Sequence, residues 1–68
     1  MNLYLIFQSV NNGWDTYDSA IIAAKSAKRA SKMHPQIDVD PKDVEVEYIG
    51  IAKPGQEEGI ILDSFNAG

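Results

Sequence analysis

The sequence has no cysteine and a single histidine, His34. A disulfide framework is therefore impossible, a cysteine-based zinc site is excluded, and one imidazole cannot supply the ligand set that zinc normally takes. No stretch approaches the roughly 20 apolar residues needed to span a bilayer. Met1 leads straight into NLYLIFQ, without a basic n-region, a long apolar h-region or a small-residue cleavage site. No secretory signal is read there, and a cytoplasmic location is expected. Basic residues are few, six against ten acidic for a formal charge of −4, a balance that disfavours direct binding to nucleic acid or to an anionic membrane.

Catalytic apparatus is equally scarce. With no Cys, with His34 alone beside Pro35 and with no Ser in a Gly-flanked elbow, a nucleophile and its base cannot both be named. Asp15 and Asp18, and Asp38, Asp40 and Asp43, lie close in sequence, and paired carboxylates can do acid–base work. Their Asn- and Pro-rich surroundings are those of turn formers instead. DVDPKD fails as a calcium loop, because its sixth position is Asp43 rather than Gly and its twelfth is Ile49 rather than Glu. KPGQEEG has two glycines but also two glutamates, which would repel a phosphate. The expectation is a non-enzymatic protein without cofactor or metal.

What is present is a strong alternation of strand and turn signals. LYLIFQSV (3–10) is rich in strand-favouring residues and stops at Asn11-Asn12-Gly13, and YDSAIIAA (17–24) resumes with β-branched residues, so a hairpin joins the two. Ser26 stands as an N-cap before AKRASKM, and Pro35 disfavours helical geometry at the residue before it, which predicts a helix over 27–34. On its wheel Lys25, Lys28, Arg29 and Lys32 crowd one side, while Ala27, Ala30, Ser31 and His34 take the other. PQIDVDPKD (35–43) reads as an irregular connection with a turn at Asp40–Asp43. VEVEYIGIA (44–52) alternates with period two, KPGQEEG (53–59) reads as a hairpin loop, and IILDSF (60–65) is the last strand. The prediction is one α+β domain over residues 1–68: a four-stranded, mostly antiparallel sheet in the order ββαββ, with one short helix on one face.

Sixty-eight residues lie near the size at which a single core only just offsets the entropy of ordering the chain. Strand one is apolar on both sides, Leu3, Leu5 and Phe7 against Tyr4 and Ile6, and strand two shows Ile21 as well as Ile22. One short helix cannot cover both faces, so a homodimer or higher oligomer is expected. The alternative is that Tyr4, Ile6 and Ile21 are scattered surface apolars.

Two polar stretches carry aromatics. In NNGWDTYDS (11–19) the turn needs only Asn-Asn-Gly, and the rest has two readings. Asp15 and Asp18 can bond nearby amides while Trp14 and Tyr17 pack at the core edge. Alternatively Trp14 and Tyr17, with Asn11, Asn12, Asp15 and Asp18 around them, form a recognition surface, since stiff aromatics flanked by directional polar groups are the composition of binding hot spots. The tail DSFNAG (63–68) adds Phe65 and Asn66, which would join that surface if the strand order brings the two stretches together. The basic helix side is a solvated face on one reading; on the other, Lys25, Lys28, Arg29 and Lys32 contact an acidic protein or phosphates.

YLIFQSVNNGWDTYDSAIIAAKS, EYIGIA and the closing SFNAG together resemble a group of small proteins found in phages, prophages and bacteria, and the likeness covers most of the chain. In similar sequences the helix tends to be acidic, whereas here it reads Lys25-Ser26-Ala27-Lys28-Arg29, which leaves its charge without a role the resemblance could supply. The resemblance implies no particular activity beyond a phage-style accessory protein, and short acidic phage proteins often act by binding and blocking host machinery, including defence systems. Three readings follow: a blocker of a host protein, an oligomeric sponge that sequesters a nucleotide-like signal on Trp14, Tyr17 or Phe65 with Asn11, Asn12 and Asn66, or a structural subunit of a phage or host complex.

Overall fold

A computed structural model describes the backbone of residues 1–10 and 16–66 and the side chains of residues 1–10 and 16–64. The elements are β1 (Asn2–Phe7), β2 (Thr16–Ala24), α1 (Ala27–Ser31), β3 (Glu45–Ile51) and β4 (Gly59–Asn66). The expected α+β class is the observed one, with all strand pairs antiparallel in the order β3-β1-β2-β4.

Period-two alternation divides the sheet into two faces. On one face the cross-strand rows are Tyr48–Tyr4–Ile22–Ile60 and Val46–Ile6–Ala20–Asp63. Tyr4, Ile6, Ala20, Ile22 and Ala24 from this face join Ala30 of α1 and Val39 and Val44 of the α1–β3 connection in the core. Ile6 and Ile22 are its largest wholly enclosed side chains, each worth about 1.5–3 kcal/mol of burial. The Tyr4 ring meets Tyr48 edge to face, with centroids 5.9 Å apart, and Asn2 Nδ2 donates to the Tyr4 hydroxyl at 3.1 Å. Tyr4 and Ile6 are thus core residues and not scattered surface apolars; Ile21 lies on the other face.

That second face has no element packed on it among the described residues. Its rows are Gly50–Leu3–Ala23–Gly59, Glu47–Leu5–Ile21–Leu62 and Glu45–Phe7–Ser19–Ser64.

The helix is shorter than its sequence pattern. Ser26 Oγ accepts from the Arg29 N–H at 3.2 Å, as an N-cap should. The last turn then tightens: Lys32 and Met33 N–H groups donate to the carbonyls three residues back, at 3.2 and 3.0 Å, and Ser31 Oγ donates to the Lys28 carbonyl at 2.8 Å. These bonds satisfy the end of the helix locally. Ala27, expected on the buried side, is exposed, while Ala30 is buried. His34 is buried as expected, but from the turn after the helix.

The stretch read as a β3–β4 hairpin loop is a crossover. β3 and β4 are opposite edges of the sheet, about 14 Å apart at the usual strand spacing, and residues 52–58 run across the end of β1 and β2 between them. The crossover is fastened at three points. Ala52 N–H donates to the Met1 carbonyl at 2.9 Å, a turn closes from Gln56 N–H to the Lys53 carbonyl at 3.2 Å around Gly55 at φ 87°, and Glu58 grips the helix. Its carboxylate accepts from the Lys25 N–H at 3.2 Å and from Arg29 Nε at 2.8 Å, with Arg29 Nη2 on its other oxygen.

Candidate interaction surface

The described positions of the expected recognition surface, Tyr17, Asp18, Phe65 and Asn66, lie toward the end of the sheet opposite the crossover. Antiparallel register sets Tyr17 opposite Phe65 and Thr16 opposite Asn66. The 11–15 segment, which joins β1 to β2, and the tail that follows β4 therefore start from one end of the sheet. Asn11, Asn12, Trp14 and Asp15 lie outside the described residues, so of the proposed surface the structure places Tyr17 and Asp18 in full and the backbone of Phe65 and Asn66.

That end is held by a set of polar side chains in which sequence reading gave Gln8, Thr16 and Gln36 no part. Gln8, Thr16 and His34 are the buried polar residues of the described chain. Gln8 N–H donates to the Asp18 carbonyl at 2.9 Å and Gln8 Nε2 donates to the Tyr17 carbonyl at 2.7 Å. Gln36 Oε1 accepts from the Tyr17 N–H at 2.9 Å, and Gln36 Nε2 donates to Asp38 Oδ1 at 2.8 Å. His34 Nδ1 accepts from the Gln36 N–H at 3.0 Å, which leaves Nε2 to carry the hydrogen and donate to the Asp18 carbonyl at 3.3 Å. Every buried side-chain polar atom described finds a partner. The network clamps the backbone of residues 17 and 18 to the α1–β3 connection. The available signal was a lone Gln in the inward register of an apolar strand, Tyr4-Leu5-Ile6-Phe7-Gln8.

Asp18 is half-buried; its carboxylate accepts from the neighbouring Ser19 hydroxyl at 3.5 Å. The basic residues do not join this end. Arg29 is engaged by Glu58, and that hydrogen bond, ahead of the charge of Glu58 itself, raises the guanidinium pKa. The same bond, partly opposed by desolvation, lowers the Glu58 carboxyl to about 2. Lys25, Lys28 and Lys32 are exposed, on the side of the molecule that carries α1.

A depression of about 150 Å³ lies across β2 and β4, lined by Leu5, Ser19, Ala20, Ile21, Leu62, Asp63 and Ser64. It holds no basic group and is below the roughly 300 Å³ at which small-molecule sites begin. Among the described residues no three His, Asp or Glu side chains are grouped to hold a metal ion, and no helix is long and apolar enough to cross a membrane. No protein-family model matches the chain, and no curated protein or solved structure was found similar to it.

Proposed function

We propose that the chain is a non-enzymatic binding protein of phage type that inhibits a host factor, such as a component of a bacterial defence system, by occupying one of its surfaces. The observation that carries this reading is the convergence of the Tyr17 and Phe65 positions at one end of the sheet, next to a buried polar clamp that fixes the backbone from which the 11–15 segment departs. A loop rich in Trp, Tyr, Asn and Asp on a rigid mount is the usual form of a recognition surface. The resemblance to phage and prophage proteins supports the same role.

Sequestration of a nucleotide-like molecule has less support, because Arg29 is engaged by Glu58 and the depression on the sheet carries no cation. Affinity capture from host lysate, followed by reconstitution with the purified captured protein, tests the reading. Trp14→Ala should abolish reconstituted binding with an unchanged circular dichroism spectrum, and Lys28→Ala with Lys32→Ala should leave it intact. Full binding by Trp14→Ala would sink the loop as the contact. Thermal stabilisation by a nucleotide would move the function to sequestration, since a ligand at 100 times its dissociation constant adds about 2.7 kcal/mol.

A further inference from the structure

The face of the sheet on which no described element packs is shaped to mesh with a copy of itself. In each of its three rows β1 contributes a large side chain and β2 an equal or smaller one: Leu3 beside Ala23, Leu5 beside Ile21, Phe7 beside Ser19. A two-fold axis parallel to the strands lays each row on its own reverse. β1 then faces β2 of the second copy and β3 faces β4. Leu3 meets Ala23 and Phe7 meets Ser19, large opposite small in both directions, while Leu5 meets the equal-sized Ile21 in the middle row; packed sheets about 10 Å apart interdigitate in this way. The depression over Ser19, Ile21, Leu62 and Ser64 lies where the second copy's Phe7 would enter.

Charge selects the orientation. Glu45 and Glu47 are exposed on β3 and point to this face, paired in register with Phe7 and Leu5. An axis across the strands would stack β3 on β3 and bring these carboxylates together, which is repulsive. The axis along the strands sets Glu45 against Ser64 and Glu47 against Leu62, and leaves no like charges opposed. Face-to-face rows also place α1, with Lys28 and Lys32, on the outside of the pair. We propose that the protein dimerises through this face as a two-layer sandwich with its axis along the strands. Such an axis keeps the same strand ends together, so the Thr16 and Asn66 ends of both copies lie on the same side of the pair.

Twelve residue positions a side fall below the roughly 20–30 of a standard interface, so the pair is of the weak, concentration-dependent kind, tested over the micromolar range. Sedimentation equilibrium of the full chain across that range should show the weight-average mass rising from monomer to dimer. Leu62→Glu, on an edge strand at a position 63% exposed, sets a carboxylate opposite Glu47 of the second copy and should weaken association at least tenfold with an unchanged circular dichroism spectrum. Adding Glu47→Lys to Leu62→Glu should restore it, because the two positions face each other only in this orientation. Ser64→Glu, opposite Glu45, repeats the test at a second contact. A wild-type monomer throughout the range, a Leu62→Glu chain that still dimerises, or no rescue by the double variant overturns the proposal. So does a face that becomes protected from hydrogen exchange only when the host target is added. Failure here leaves the loop reading standing, which Trp14→Ala tests separately.

Discussion

His34 shows how a single side chain fixes a local conformation. It spans the Asp18 carbonyl, which also accepts from the Gln8 N–H, and the Gln36 N–H, and it is 6% exposed. His34→Ala should cost about 1–3 kcal/mol, the range for leaving buried hydrogen-bonding groups unmet, read as a lower urea midpoint. Glu58 contributes a pH dependence. Its folded-state pKa, about 2, lies below its ordinary 4.5, so its contribution is present above about 4.5 and is lost as pH falls toward 2. Thermal melts should show Glu58→Gln less stable than wild type at neutral pH, with the gap closing between pH 4.5 and 2. At this scale the sequence was informative about type and silent about partner: Ser26 was legible as a cap because capping is local, whereas the Arg29–Glu58 contact joins residues 29 positions apart and leaves no pattern in either segment.

Elements were legible where their signals are short-range. The four strands and the one helix occur where alternation and capping put them, and the Asp40–Asp43 turn is a short 3-10 helix with the Asp40 carboxylate accepting from the Lys42 N–H at 3.0 Å. The helix end was not legible, because Lys32, Met33 and His34 fit a helical wheel as well as they fit the tight turn they form. A five-residue helix has almost no stability of its own, so it depends on its cap and on Ala30 in the core. Ser26→Ala should therefore lower stability by about 1 kcal/mol, measured by urea denaturation. Strand order also escaped. Sequence neighbours usually pair, which made KPGQEEG look like a hairpin; instead β1 takes β3 as its outer neighbour and the chain crosses the sheet end to place β4 beside β2.

At the scale of the whole molecule the margin is narrow. A chain of 68 residues at roughly 0.05–0.15 kcal/mol per residue has about 3–10 kcal/mol of stability. Ile22→Ala, at a site with no solvent exposure, should remove about 2–5 kcal/mol, a loss comparable with the lower part of that range. Circular dichroism at 25 °C should then show a substantially unfolded population. The two apolar faces of the sheet were visible in the sequence, and so was the shortage of material to cover both. Which residues share a face with which neighbours was not, since rows such as Glu47–Leu5–Ile21–Leu62 exist only once non-local pairing has set the register.

The opposed placement of the crossover and the polar clamp has a practical consequence for handling the protein. Met1 lies at the crossover end, where Ala52 holds its carbonyl, while Asn66 stands across from Thr16 at the other. A purification tag or fluorophore attached ahead of Met1 leaves the loop end clear, whereas the same group fused after residue 68 departs two positions beyond Asn66 and crowds it. Assays that compare the two labelled forms would report steric obstruction of the loop end before any residue is changed.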